Sequence, residues 1–74
     1  MTGVIIRLLP NRGYGFIRGK DLQIRFMHAR DAKDFELMHE GLLVSFTPLE
    51  KEVNDKHNGL RAIDVEKCLD SKDQ

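Results

Sequence analysis

Five short apolar segments, separated by turn-forming residues, constrain the fold of this chain more than any other feature of its sequence. Each is five to eight residues long and is bounded by glycine, proline, asparagine or charged residues, which is typical of β-strands. Between the third and fourth segments, Ala32, Phe35 and Met38 recur at intervals of three residues, so we predict a turn or a single helical turn there. The predicted strands span residues 3–9, 14–18, 23–28, 42–49 and 60–65.

The size of the chain limits how these strands can be arranged. Five strands within about 63 of the 74 residues cannot build two well-covered sheets, whereas one bent sheet that closes on itself removes its own edges. We therefore predict an all-β fold, a five-stranded antiparallel barrel, as a single domain over residues 1–66, followed by a flexible tail over residues 67–74. The predicted core consists of Val4, Ile17, Met27, Val44, Phe46, Ile63 and Val65.

Composition excludes several classes of protein. With 41% hydrophobic and 32% charged residues, the chain is too apolar for a disordered tail and too charged for a membrane span. Its first residues carry no pattern of an export signal, so we expect a cytoplasmic protein without a membrane partner. The single cysteine, Cys68, excludes an internal disulfide, and no histidine or acid pair has the spacing of a metal site. No metal and no cofactor are therefore predicted.

Charge is unevenly distributed along the chain. Twelve basic and twelve acidic residues cancel to a net charge of zero, which excludes a strong overall attraction to nucleic acid. The first thirty residues, however, contain six of the twelve basic residues and a single acid, Asp21. This asymmetry indicates one local positive face rather than a uniformly basic surface.

Aromatic side chains are predicted to cluster on that basic half. Because side chains alternate along a strand, Tyr14, Phe16 and Arg18 share one face of the second strand, and Phe26 and His28 share one face of the third. If the two strands pair as a hairpin, four rings lie together on a surface that one barrel layer cannot bury. Single-stranded nucleic acid is a suitable partner, because stacking of a base on a ring contributes about 1–3 kcal/mol whatever the sequence. Arg7, Arg12 and Arg18 of the basic half are predicted to bind it together with the rings.

Three groups of residues follow one another along the chain in a recognisable order. They are Arg12-Gly13-Tyr14-Gly15-Phe16-Ile17, then Phe26-Met27-His28, then Glu40-Gly41 with Val44 and Phe46. Over residues 2–65 this arrangement resembles the cold-shock domain family. The family's first motif is Lys-Gly-Phe-Gly-Phe-Ile and its second is Val-Phe-Val-His. Its members are five-stranded OB-type barrels that bind single-stranded RNA and DNA.

The resemblance implies roles for individual residues. Tyr14, Phe16, Phe26, His28 and Phe35 are expected to stack on bases, while Arg12 reaches a phosphate or a base edge. For Phe35 a second role, plugging the end of the barrel, is equally compatible with its position in the sequence. The implied function is that of an RNA-chaperone-like protein, in which no step requires catalysis.

Five positions depart from the family pattern. Arg7 stands in place of a first-strand tryptophan, Leu8 in place of the phenylalanine after it, and Ile6 in place of the lysine before it. Ala29 replaces a further phenylalanine, and Arg25 replaces a core valine. Three stacking rings are therefore missing, although an arginine plane can itself stack on a base. We expect weaker binding than in typical members.

Two other interpretations use the same residues. In the first, the barrel binds another protein through an apolar patch formed by Ile6, Leu8 and the rings. Alternatively, the rings belong to the core. A catalytic arrangement of His28, Asp31 and Cys68 is not supported by sequence order, and we predict no enzymatic activity. The charged segment at residues 51–56 is predicted to be a solvated hairpin tip that can close over a ligand.

Overall fold

The structure is a computed structural model that describes residues 1–49 and 60–68. Its strands match the predicted ones to within two residues at each end. The predicted hairpin tip at residues 51–56 lies outside the described residues, as do positions 69–74 of the predicted tail. The strands are β1 (Thr2–Leu9), β2 (Tyr14–Gly19), β3 (Ile24–His28), β4 (Leu43–Leu49) and β5 (Leu60–Lys67).

The five strands close into a barrel in the order β1-β2-β3-β5-β4, with β4 returning to pair with β1. The predicted all-β, five-stranded barrel is confirmed, and it is compatible with an OB-type fold. One detail was wrong, because β3 and β5 pair in parallel while the other contacts are antiparallel. A closed ring with an odd number of strands cannot alternate direction at every contact, so one parallel pair is unavoidable.

The core fills the inside of this barrel. Of the seven predicted core residues, Val4 and Ile63 are only half-buried, and their neighbours Ile5 and Ala62 take the inward positions. The other five predictions are confirmed. The buried apolar residues, none more than 8% exposed, are Ile5, Ile17, Met27, Met38, Val44, Phe46, Ala62 and Val65.

A bulge in β1 explains the first error. Ile5 pairs with Ile17 and Arg7 pairs with Phe16, so Ile6 is an extra residue that has no partner of its own on β2. As a result Ile6 and Arg7 are both exposed, while Leu8 returns to the inside and packs against the core. Leu8 is therefore not part of an outward apolar patch, contrary to that interpretation of the sequence.

A second bulge, in β5, explains the other error. The register with β4 shifts between Ser45 and Thr47, and Asp64 adopts a positive φ of 52°. This insertion places Ala62 and Val65, three residues apart, both inside the barrel. The strict alternation that favours Ile63 as a core residue does not hold here. β5 also continues to Lys67, two residues beyond its predicted end.

The segment between β3 and β4 forms two short 3-10 turns, Ala29–Asp31 and Phe35–Leu37. This confirms the predicted turn. Met38 belongs to the core, and Ala32 and Phe35 pack against it, so the segment covers part of the barrel interior. The three-residue spacing of these apolar side chains reflects this contact.

One charged side chain, Arg25, lies on the inner face and is only 5% exposed. Its Nη1 and Nη2 donate hydrogen bonds to Asp21 Oδ1 and Oδ2 at 3.0 and 2.8 Å, and its guanidinium carbon lies 5.5 Å from the centre of the Phe46 ring. The carboxylate and the ring together compensate the burial of the charge. In return, these hydrogen bonds from Arg25, with one from the Gln23 N–H, lower the pKa of Asp21 from 3.8 to about 2.

Candidate nucleic-acid interface

Four rings lie together on the outside of β2 and β3, and we call Tyr14, Phe16, Phe26 and His28 the aromatic face. Tyr14 pairs with His28 and Phe16 with Phe26 across the two strands. The Phe26 ring is central, with its centroid 5.5 Å from Tyr14, 6.0 Å from Phe16 and 6.4 Å from His28. All four are half-buried, and none belongs to the hydrophobic core. The interpretation of these rings as core residues is therefore wrong.

Alternation along the two strands produces this arrangement. Gly15, Ile17, Arg25 and Met27 occupy the intervening positions, and all four are buried on the barrel side. The rings must therefore face outward. Since β2 and β3 are adjacent and antiparallel, the outward residues of one strand lie directly beside those of the other.

Gly15 permits close packing beneath the rings. A Cβ atom at this position would lie 2.7 Å from the backbone oxygen of Arg7 and 2.9 Å from Leu8 Cδ1. Glycine is thus required by the close approach of β1 to β2 on the inner side. It is not required to let a ligand approach the outer side, where its neighbours present their rings.

The rings contact and support one another. Tyr14 and Phe16 meet at 83° and Phe16 and Phe26 at 70°, which are edge-to-face arrangements, while Tyr14 and Phe26 are tilted by 36°. Such pairs contribute about 0.5–1.5 kcal/mol each beyond the area that they bury. The cluster is therefore pre-organised, and it offers partly exposed π surfaces on which flat groups can stack.

The orientation of His28 is fixed by the turn that follows it. Its Nδ1 accepts a hydrogen bond from the Arg30 N–H at 3.0 Å, so the side chain caps the Ala29–Asp31 turn. A ring nitrogen that accepts a hydrogen bond carries no proton, and in the neutral ring the proton then lies on Nε2. His28 therefore adds a hydrogen-bond donor, Nε2–H, to the aromatic face.

The arginines predicted to bind nucleic acid, Arg7, Arg12 and Arg18, are exposed around these rings, whereas Arg25 of the same basic half is buried inside the barrel. Arg7 is the register partner of Phe16 on β1, and Arg18 pairs with Ile24 on the outer side of the β2–β3 hairpin. Arg12 ends the short 3-10 turn Pro10–Arg12 that joins β1 to β2. Two of the three predicted arginines are thus strand neighbours of the ring cluster, and the third lies on the adjoining turn.

Phe35 is the one predicted aromatic contact that the structure places elsewhere. It lies in the Phe35–Leu37 turn and packs, half-buried, against the hydrophobic core. This position suits the role of plugging the barrel. Its role in stacking on a base stays a prediction.

Sequence reasoning missed one residue of this surface, Arg61. The parallel pairing of β3 with β5 makes Arg61 the register partner of Phe26, the central ring. Its side chain is exposed, and its Nη2 donates to Asp31 Oδ2 at 3.1 Å. No signal in the sequence marks it, because a parallel pair joins segments that are far apart in the chain and have no shared turn.

No protein-family model matches this chain, and no curated protein matches it. Outward positions on β1, β2 and β3 combine rings, aliphatic side chains, arginines and a threonine without an acid among them. These positions are Thr2, Val4, Ile6, Arg7, Leu9, Tyr14, Phe16, Arg18, Ile24, Phe26 and His28.

Two further observations concern other kinds of site. Within residues 1–49 and 60–68, no helix is long and apolar enough to cross a membrane. In the same part of the chain, no three side chains of histidine, cysteine, aspartate or glutamate come together as ligands of a metal ion would.

Proposed function

We propose that this protein is a single-stranded nucleic-acid-binding module of the cold-shock type, which binds RNA or DNA on its aromatic face. The observation that carries the proposal is the cluster of Tyr14, Phe16 and Phe26, whose centroids lie within 6.0 Å of one another on the outer, partly exposed side of two paired strands. None of these three rings belongs to the hydrophobic core or packs against it in the described part of the chain, so core packing does not explain their presence.

Unpaired bases suit such a surface because every base has a π face. Each base that stacks on a ring contributes about 1–3 kcal/mol, largely regardless of its identity. Paired bases already stack on one another, so the surface favours strands that are open. A ligand that binds only the open form shifts the equilibrium toward it, which is the action of an RNA chaperone.

The exposed arginines supply the second component of binding. Arg7, Arg12 and Arg18 surround the rings and can neutralise phosphates, which releases counterions from the strand. This component makes affinity depend on salt concentration, whereas stacking does not. Because Arg7 stands in place of a first-strand ring, we propose a larger salt-dependent share of binding and a lower affinity than in typical cold-shock proteins.

The proposed activity needs no catalytic group, metal or cofactor, since it consists of binding alone. We further propose that the protein acts in the cytoplasm, on RNA or on single-stranded DNA. That location is an expectation from the sequence and is independent of the geometry of the aromatic face.

Fluorescence of Tyr14 tests the proposal directly, because the chain contains one tyrosine and no tryptophan. Addition of a short oligothymidylate at low salt is expected to quench it as a base stacks on the ring cluster. Phe16→Leu, which keeps apolar volume but removes the ring, is expected to weaken binding about 5- to 150-fold, the equivalent of about 1–3 kcal/mol. Thermal unfolding of the variant checks that the barrel is intact.

A matched control uses an exposed apolar residue that lies off the aromatic face. Leu37 is 71% exposed on the loop between β3 and β4, so Leu37→Ala is expected to leave the affinity unchanged. Absence of quenching by any oligonucleotide, or equal binding by wild type and Phe16→Leu, would contradict the proposal.

A second candidate is a protein-binding surface. It is favoured by Ile24 and Ile6, which are 53% and 38% exposed on the same side of the barrel as the rings. Under this alternative, oligonucleotides leave the amide spectrum of β2 and β3 unchanged. The same titration, followed by amide chemical shifts, therefore separates the two candidates.

A further inference from the structure

Strand β5 brings a cation to the edge of the aromatic face. Arg61 lies opposite Phe26 in the parallel β3–β5 pair, and its neighbour Ala62 is buried inside the barrel. Alternation therefore directs Arg61 outward, to the same surface of the barrel as Phe26, on the side of β3 away from Tyr14 and Phe16. Its side chain keeps 45% of its surface exposed.

This cation is held by an acid from a neighbouring loop. Asp31 ends the turn that begins directly after His28, and its Oδ2 accepts a hydrogen bond from Arg61 Nη2 at 3.1 Å. The loop is anchored to β5 just beyond Asp31. There the Lys33 N–H donates to the Val65 oxygen at 2.7 Å and Ala32 forms a strand bridge with Val65. The acid is thus placed beside Arg61 by backbone structure.

We propose that Arg61 binds a phosphate of the nucleic-acid strand on the aromatic face, and that Asp31 competes with that phosphate for the guanidinium. The inference rests on the proposed function and adds a contact and a regulating residue to it. In the free protein Asp31 pairs with Arg61, whose backbone lies opposite Phe26. In the complex a phosphate oxygen takes the place of the carboxylate.

The chemistry of the pair supports an exchange of this kind. An ion pair this exposed contributes little to stability, so its loss is a small obstacle to binding. Phosphate offers the guanidinium two parallel, charge-assisted hydrogen bonds, whereas Asp31 makes one. The exchange also leaves the Asp31 carboxylate unpaired and close to the phosphates of the nucleic-acid strand. Because the two charges repel, the acid lowers the affinity that Arg61 would otherwise provide.

The competition between Asp31 and the phosphate should change how the binding affinity depends on salt concentration. Binding of one phosphate by a free arginine releases about 0.7 counterion from a single strand. In the wild type, part of this release is offset because the freed Asp31 carboxylate attracts a cation. Removal of the acid charge therefore increases the affinity and steepens its dependence on salt, but only if Arg61 is present.

The test compares four proteins: wild type, Asp31→Asn, Arg61→Gln and the double variant. Each is titrated with oligothymidylate at several salt concentrations, with Tyr14 fluorescence as the signal. Asp31→Asn is expected to tighten binding about two- to fivefold, the range that an exposed ion pair accounts for. The slope of log K against log salt concentration is expected to steepen by the part of the release that Asp31 offsets, at most about 0.7. Both effects are expected to disappear in the double variant.

Asp34→Asn is the control for a general change of charge. Asp34 lies three residues further along the same loop, is exposed, and pairs with no arginine in the described part of the chain. Its positive φ of 57° is one that asparagine adopts readily, so the substitution is mild. Asp34→Asn is expected to change affinity and slope much less than Asp31→Asn.

Two outcomes would overturn the inference alone, provided that Phe16→Leu still weakens binding. One is equal tightening by Asp31→Asn with and without Arg61, which would mean that the acid acts only through the overall field. The other is wild-type affinity and slope in both single variants. If Phe16→Leu binds as wild type does, the aromatic face is not the site, and the proposed function and this inference fail together.

Discussion

Substitution of Gly15 by alanine should destabilise the barrel more than its small size suggests. The added Cβ would lie 2.7 Å from the Arg7 backbone oxygen, closer than such atoms approach in proteins. Two other contacts, with Leu8 Cδ1 at 2.9 Å and Met27 Cε at 3.2 Å, involve the ends of flexible side chains that can turn away. The backbone oxygen can move only if β1 separates from β2.

The expected loss of stability depends on whether the clash is with side chains or with backbone. Insertion of a methyl group into a packed interior costs about 1–3 kcal/mol, and relaxation of side chains accounts for the lower values. Since the main clash here is with backbone, we expect the free energy of unfolding to fall by about 2–3 kcal/mol. For a domain of this size that lowers the Tm by about 8–24 °C.

Thermal unfolding followed by circular dichroism, together with urea unfolding followed by Tyr14 fluorescence, measures the change. Gly41→Ala is the control, because Gly41 has no neighbouring atom within 4 Å of a Cβ but has a φ of +91°. Its cost is therefore one of backbone conformation, about 1–2 kcal/mol, and Gly41→Asn should recover part of it. Gly15→Asn should recover nothing. A wild-type Tm for Gly15→Ala would refute the close approach of β1 and β2.

Three further substitutions test the charged residues. The lowered pKa of Asp21 means that its ionised form stabilises the fold fully above about pH 4 and that this contribution is lost as the pH falls toward about 2. The difference in Tm between wild type and Asp21→Asn should therefore shrink over that range, and a constant difference would argue against the Arg25 contact. Arg7→Trp should tighten oligonucleotide binding by about 1–3 kcal/mol, because the new ring would lie beside Phe16; unchanged affinity would show that this position does not reach the strand. Arg12→Ala should flatten the salt dependence by about 0.7 with little effect on base preference, and an unaltered slope in the same titration would exclude a phosphate contact.

Much of the barrel could be predicted because its strands are short and clearly bounded. Pro10 and Gly13 mark the turn after β1, and the structure places a 3-10 turn and a left-handed glycine there. On β2 and β3, strict alternation separates the outward Tyr14 and Phe26 from the inward Ile17. Local rules of turn chemistry and side-chain direction are sufficient in these regions.

The bulges could not be predicted by the same rules. An extra residue such as Ile6 moves every later side chain of the strand to the opposite face of the sheet. Where the extra residue lies depends on how β1 bends to pair with both β2 and β4. The three residues that precede Arg7 are all apolar, so both Val4 and Ile5 are acceptable inward residues. Only closure of the barrel decides between them.

The candidate site was predictable where it lies within one hairpin and not where it crosses to a distant strand. Tyr14, Phe16, Phe26 and His28 belong to two strands joined by a short turn, so their proximity follows from pairing. Arg61 joins them through the parallel contact between β3 and β5. Its ion pair with Asp31 likewise depends on the path of a loop.

The parallel contact also has a consequence for how the chain is made. Of the five barrel strands, β5 is synthesised last, and it lies between β3 and β4 in the closed barrel. Until it emerges from the ribosome, β3 and β4 each present an unpaired edge, and such edges readily join other chains. The barrel can therefore close only after residues 60–67 have emerged, and nascent chains halted before Leu60 are expected to need protection from aggregation.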